Sequence, residues 1–192
     1  MLKTIEKQGL NAKRVVENLL NFARHKEHKE ELVDINKSLR TVISVMGNTI
    51  RLNKIEVKEN LQEALQPVLA DEGELQQVFF NIINNAIYAM SQKGGGILTI
   101  TTSYLNSDTV DIRISDTGEG IKKEHRKRIF DPLFTTKEVG KGTGLGLSIS
   151  YGIVTKHGGS ITFKTKTRDE SLDTGTTFII NLPAARVATK EI

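Results

Sequence analysis

The chain has 192 residues, 27 Lys+Arg against 23 Asp+Glu, a net charge of +4, 38% hydrophobic residues and no cysteine. That length suits one sizeable domain plus a short appendage, and no apolar run is of bilayer-spanning or signal-peptide type. Lack of cysteine excludes disulfides, thiolate zinc sites and cysteine catalysis; the mixed charges, with no basic block interleaved with aromatics, argue against a nucleic-acid partner and fit a cytoplasmic setting.

Ile5, Gln8, Ala12, Val15, Leu19 and Phe22 recur at alternating steps of three and four, the seam of a bundle helix. Nothing else early in the chain pairs with that face. Residues 1–30 therefore read as one helix cut from a larger bundle, with residues 3–27 offering a face to a missing helix or to a second copy. The bland alternative is an amphipathic helix lying on the next domain. His25 and His28 sit in a run of alternating charge with no further ligands nearby, which reads as a solvated helix end.

A composition shift near Glu30 marks the junction to a second unit, residues 31–183. Leu32–Ile35 reads as a short strand, and Asn36 as the cap of a helix over Lys37–Arg51. Lys54–Leu61 and Pro67–Ala70 read as strands. Asp71 and Glu74 stand at capping-box spacing. Beyond them Leu75, Val78, Phe79, Ile82, Ile83, Ala86, Ile87 and Met90 form one helical stripe. Asn81, Asn84 and Asn85 interrupt this strong helix, although Asn is a poor helix former. Such local conflict marks functional positions. Asn84 fits a solvent position, whereas Asn85 lies at the margin of the apolar face. An amide oxygen there is a suitable hard ligand for Mg²⁺ beside a phosphate chain.

Gly94–Gly96 ends the helix, and a hairpin of Ile97–Tyr104 and Thr109–Ser115 follows. Val110, Ile112 and Ile114 alternate, so Asp116, of the same parity, points inward at the strand end. A buried carboxylate is costly unless donors reach it. Gly118 and Gly120 leave a small-residue floor beside it for a flat ring whose exocyclic amine can donate. Gly140–Ser148, GKGTGLGLS, then opens an apolar helical pattern. Alone, such a loop is a flexible connector as readily as a phosphate cradle; free N–H groups and the helix dipole favour the cradle.

Taken together, these residues resemble the catalytic, ATP-binding domain of bacterial sensor histidine kinases. Asn81-Ile-Ile-Asn-Asn85-Ala86 matches the N box and Asp116-Thr-Gly118-Glu-Gly120 the G1 box. Phe130-Asp-Pro-Leu-Phe134-Thr-Thr-Lys137 matches the F box, in wording most like the nitrogen-regulation-type kinases. Gly140–Leu147 matches G2, and Gly175-Thr176-Thr177-Phe178 the last glycine-threonine motif. The resemblance implies a two-layer α/β sandwich of the GHKL (Bergerat) type, a mixed sheet backed by helices, preceded by one helix of the dimerisation and phosphotransfer hairpin. It implies ATP or ADP and Mg²⁺ as ligands. Asn85 would hold the metal, and Asn81 would support it or the phosphates. Asp116 would read the adenine amine, with Thr176 sharing a water beside it. Gly118 and Gly120 would lie against the base. Gly142, Thr143, Gly144, Leu145 and Gly146 would wrap the phosphates, and Lys137 and Lys141 would neutralise them. Residues 131–143 would form a lid, and residues 184–192 a disordered tail.

Two departures from the family pattern matter. Tyr88 stands where many members carry a basic residue three positions after the metal-binding Asn, which makes Lys137 or Lys141 more necessary. None of His25, His28, His125 and His157 is followed by an acidic residue, so the phospho-accepting motif is absent and this chain supplies no catalytic histidine. His157 suits a helix end as a cation. The expected function is the ATP-binding part of a kinase that phosphorylates a histidine on the missing acceptor helix, for relay to a response-regulator receiver domain. The kinase as a whole could be membrane-anchored. A regulatory nucleotide-binding module without kinase activity is the alternative, and an ATP-driven conformational machine ranks last.

Overall fold

A computed structural model describes residues 29–106, 108–138 and 142–185. The predicted bundle helix, its homodimer face and the tail beyond Ala185 lie outside the described residues. The elements in chain order are β1 (Glu31–Val33), α1 (Ile35–Leu52), β2 (Ile55–Leu61), β3 (Val68–Ala70) and α2 (Glu72–Ser91). They continue with β4 (Gly96–Asn106), β5 (Thr109–Asp116), α3 (Gly146–Lys156), β6 (Ser160–Lys166) and β7 (Gly175–Pro183).

Five strands form one sheet in the order β2-β4-β5-β7-β6; β2 pairs with β4 in parallel and the other pairs are antiparallel. A parallel pair needs a long crossover, and here β3 and α2 supply it. The predicted two-layer α/β sandwich is therefore present, with the three helices backing the mixed sheet. β1 and β3 form a separate antiparallel pair.

The stripe predicted for α2 is the centre of the core. Leu75, Val78, Phe79, Ile83 and Met90 are all fully buried and meet Leu98, Ile100, Ile112, Ile114 and Ile180 of the sheet. Burying each such side chain contributes about 1.5–3 kcal/mol, so α2 is fixed along its length. Asp71 caps it by accepting a hydrogen bond from the Glu74 N–H at 3.0 Å, as the sequence spacing predicts.

The start of α1 differs from expectation. Asp34, not Asn36, is the cap, its carboxylate accepting from the Lys37 N–H at 3.0 Å. Ile35 turns into the core instead of extending β1, so the helix begins earlier. Asn36 instead ties the sheet to the helix: its amide donates to the Gln62 carbonyl and its oxygen accepts from the Thr102 hydroxyl. Of the expected tail, Ala184 and Ala185 are tied down, their N–H groups donating to the carbonyls of Asp108 and Pro67.

Candidate functional site

The end of β5 carries Asp116, paired with Leu98 on β4 and with Thr176 on β7. The parity argument holds: Val110, Ile112, Ile114 and Asp116 are all buried. Asp116 Oδ1 accepts from the N–H groups of Gly118 at 2.8 Å and Thr176 at 3.3 Å. Both donors use one oxygen, and among the described residues Oδ2 accepts no hydrogen bond. Burial nevertheless pushes this carboxyl up to about 6, against the lowering effect of the two N–H groups and of Lys93. A buried carboxylate with one oxygen unsupplied is a hydrogen-bond acceptor awaiting a donor. Thr176 reaches it through its backbone, while its hydroxyl pairs with Thr165 at 3.0 Å. Gly118 lies flush on α2: a Cβ there would stand 2.6 Å from the Ala89 Cβ. Gly120 is constrained from the other side. Its φ is +76° and a Cβ would stand 2.1 Å from the Lys166 carbonyl oxygen, so glycine is required by contact with β6.

The three asparagines of α2 separate by role. Asn84 is exposed. Asn81 points at α3, its amide donating to the Gly146 carbonyl at 3.0 Å and meeting the Ser150 hydroxyl at 3.3 Å. Asn85 accepts at Oδ1 from the Lys137 ammonium at 2.8 Å. That ammonium also stands 4.5 Å from the centre of the Tyr88 ring, a cation–π distance. Burial lowers the Lys137 pKa from the usual lysine range. Tyr88, read from the sequence as the loss of a phosphate contact, is here the wall that steers a lysine from the F box to Asn85.

Around this cluster the glycine loop packs on the F box. Gly144 has φ +68°, and a Cβ there would stand 2.3 Å from the Leu133 carbonyl carbon, so only glycine fits. Gly142 touches Thr135 and Lys137. Thr143 accepts at its hydroxyl from the Leu145 N–H at 3.3 Å, and Leu145 is buried at the start of α3. Gly146 opens α3, with Asn81 beside it. No side chain caps α3, so its first N–H groups can meet an anion. Lys141 lies outside the described residues. Among the described residues no group of three or more His, Asp or Glu is arranged to hold a metal. The Asn85 side-chain oxygen is a hard donor, and the Lys137 ammonium at 2.8 Å shows that it accepts a cation. Mg²⁺ fits that donor chemistry.

This constellation of carboxylate, asparagine helix and glycine loop matches a known profile. Residues 70–186 match the family described as histidine kinase-, DNA gyrase B- and HSP90-like ATPases. The chain belongs to that family. Within this ATPase family its relatives are sensor kinases. It is 35% identical over 196 aligned positions to the sensor kinase CckA of Brucella abortus, covering 95% of this chain and 20% of that protein. The crystal structure of full-length ShkA in complex with AMPPNP superposes with a TM-score of 0.78 at 27% identity, over 95% of this chain and 38% of that one. The histidine kinase ThkA in complex with the response regulator protein TrrA gives 0.75 at 25% identity, over 95% and 50%. The chain thus spans about a fifth of its curated relative, and its fold is that of the catalytic ATP-binding domain of a histidine kinase.

Several residues that shape this ATPase site carry no sequence signal. The Lys93 ammonium donates to the Thr117 carbonyl and the Thr174 hydroxyl, both at 2.8 Å, and so fixes the turn after Asp116. The Thr165 hydroxyl accepts from the Ile121 N–H and reaches the Gly175 carbonyl. His157, expected as a helix-end cation, stands with Nε2 3.1 Å from the Asp71 N–H and 3.7 Å from the Glu74 carboxylate, and with Nδ1 2.9 Å from the Ile153 carbonyl. It joins the end of α3 to the cap of α2.

Proposed function

We propose that this domain binds Mg-ATP and donates the γ-phosphoryl group to a histidine on a separate acceptor helix, for relay to an aspartate on a response-regulator receiver domain. The observation that carries the reading is Asp116, buried at the strand end with Oδ1 supplied by the Gly118 and Thr176 N–H groups and Oδ2 left as an acceptor. Its chemistry selects a ligand with an amine donor on a flat ring, as adenine has. Asn85 would contribute the metal's protein oxygen, with Asn81 holding α3 beside it. Lys137, Lys141 and the N–H groups of Gly142, Thr143, Gly144, Leu145 and Gly146 would meet the phosphate charge. Asn85 would hold Mg²⁺ there, which would supply charge screening for the phosphates. Phosphoryl transfer needs positioning and electrostatic stabilisation more than covalent help, which suits a site built from backbone, amides and lysines.

The response-regulator partner rests on kinship with ThkA, solved with TrrA. We assign the domain to the cytoplasm, and the FDPLFTTK wording supports a nitrogen-regulation-like subclass. Residues 1–30 are read as the second hairpin helix, able to pair in a homodimer. A second reading, a regulatory nucleotide module, draws on the lack of any histidine followed by an acidic residue.

Calorimetric titration of Mg-ADP into the chain tests the site. Binding is expected, lost with Asp116→Ala and stripped of its Mg²⁺ dependence with Asn85→Ala. No heat of binding with the unmutated chain would sink the reading.

A further inference from the structure

Resting on that reading, we propose that the Asn85 oxygen and the Tyr88 ring form one cation seat which Lys137 occupies, so that Mg²⁺ reaches Asn85 only by displacing the lysine. Tyr88 is then a positioning residue, acting through Lys137.

Three contacts carry the argument. The Lys137 ammonium lies 2.8 Å from Asn85 Oδ1, across 52 residues of sequence. It lies at the same time over the Tyr88 ring, 4.5 Å from the centre. Its stem is held from behind, because Gly142 lies against its Cβ and Cδ and its own N–H is turned onto the Thr135 hydroxyl at 3.2 Å. Asn85 and Tyr88 stand three apart on α2, so both face one spot above the helix. The lysine is thus directed at this spot by packing on both sides.

An ammonium and a hydrated Mg²⁺ both need the same amide oxygen, and as like charges they repel at close range. They cannot share the seat. In the absence of metal, Lys137 keeps one positive charge where the phosphates arrive. When metal enters with nucleotide, the ammonium leaves Asn85 and the aromatic face, and its flexible four-carbon stem lets it follow a phosphate oxygen. The seat therefore lets this chain hold nucleotide without metal and weakens the advantage the metal confers. The cation over Tyr88 thus comes from the F box, from Lys137.

The test is the ratio of ADP dissociation constants measured by calorimetry in excess EDTA and in excess Mg²⁺. Lys137→Met is expected to raise that ratio about tenfold or more, because both arms lose a cation near the phosphates but only in the Mg²⁺ arm is this offset, the metal no longer having to displace an ammonium from Asn85. Tyr88→Leu should move it in the same direction, and Tyr88→Phe, which keeps the ring face, should leave it as in the unmutated chain. A ratio unchanged within about twofold in Lys137→Met, with both arms weakened alike, overturns the competition. A ratio unchanged in Tyr88→Leu, or raised in Tyr88→Phe, overturns the role of the ring. Failure of the unmutated chain to bind ADP in either buffer rejects instead the nucleotide reading on which the inference rests.

Discussion

Asp116 bears a cost in the ligand-free protein. Burial raises its pKa from 3.8 to about 6, so the folded state holds the proton more tightly than the unfolded chain does. Its contribution to stability is therefore greatest in acid and declines as pH rises through the window from about 4 to 6, by of order 2–3 kcal/mol. An amine donor favours the ionised form, so ADP affinity should fall as pH drops below about 6, with proton release on binding near that pH. Titrations in two buffers of different ionisation enthalpy would measure it. Asp116→Asn removes the buried charge and turns an amide N–H₂ toward the adenine amine. We expect its melting temperature at pH 8 to match or exceed that of the unmutated chain, and ADP affinity to drop about 10- to 100-fold. Affinity unchanged in this variant would remove Asp116 from recognition.

Helices α2 and α3 act as a pair at the element scale. Asn81 ties their middles through the Gly146 carbonyl and Ser150, and His157 ties the end of α3 to the Asp71 cap. The opening turn of α3 is thus held from α2 by an amide and not by a side-chain cap of its own. Asn81→Ala should cost about 1–2 kcal/mol of stability, since the Gly146 carbonyl loses a donor. Because Asn81 acts here as an anchor, the variant should weaken ADP binding by the same factor with and without Mg²⁺, in contrast to Asn85→Ala. Faster amide exchange in the first turn of α3 would accompany it. A selective loss of the Mg²⁺-dependent arm would reassign Asn81 to the metal. Sequence spacing alone offers no way to separate these roles, because Asn81 and Asn85 share one side of one helix.

At the scale of the whole molecule, the chain carries the ATPase-family domain, and each of its four histidines is followed by Lys, Arg or Gly. Incubated with γ-labelled ATP, the chain should incorporate no acid-labile phosphate, since no histidine stands before an acidic residue; stoichiometric labelling would contradict this. Much of the domain is legible in the sequence. Hydrophobic period sets α2 and β5, parity turns Asp116 inward, and the Asp71–Glu74 spacing starts α2, because each depends on neighbours a few residues away. Where local signals compete, reading fails: Asp34 and Asn36 are both good caps, and the burial of Ile35 decides between them. The sequence by itself therefore determined the fold class, the buried carboxylate and the asparagine-bearing helix. Only the tertiary structure decided that Lys137 reaches Asn85 over Tyr88, that Asn81 serves α3, and that His157 meets the Asp71 cap of α2. Each of those contacts joins elements far apart along the chain, and its partner is chosen by how the helices and the sheet pack, not by any period within one segment.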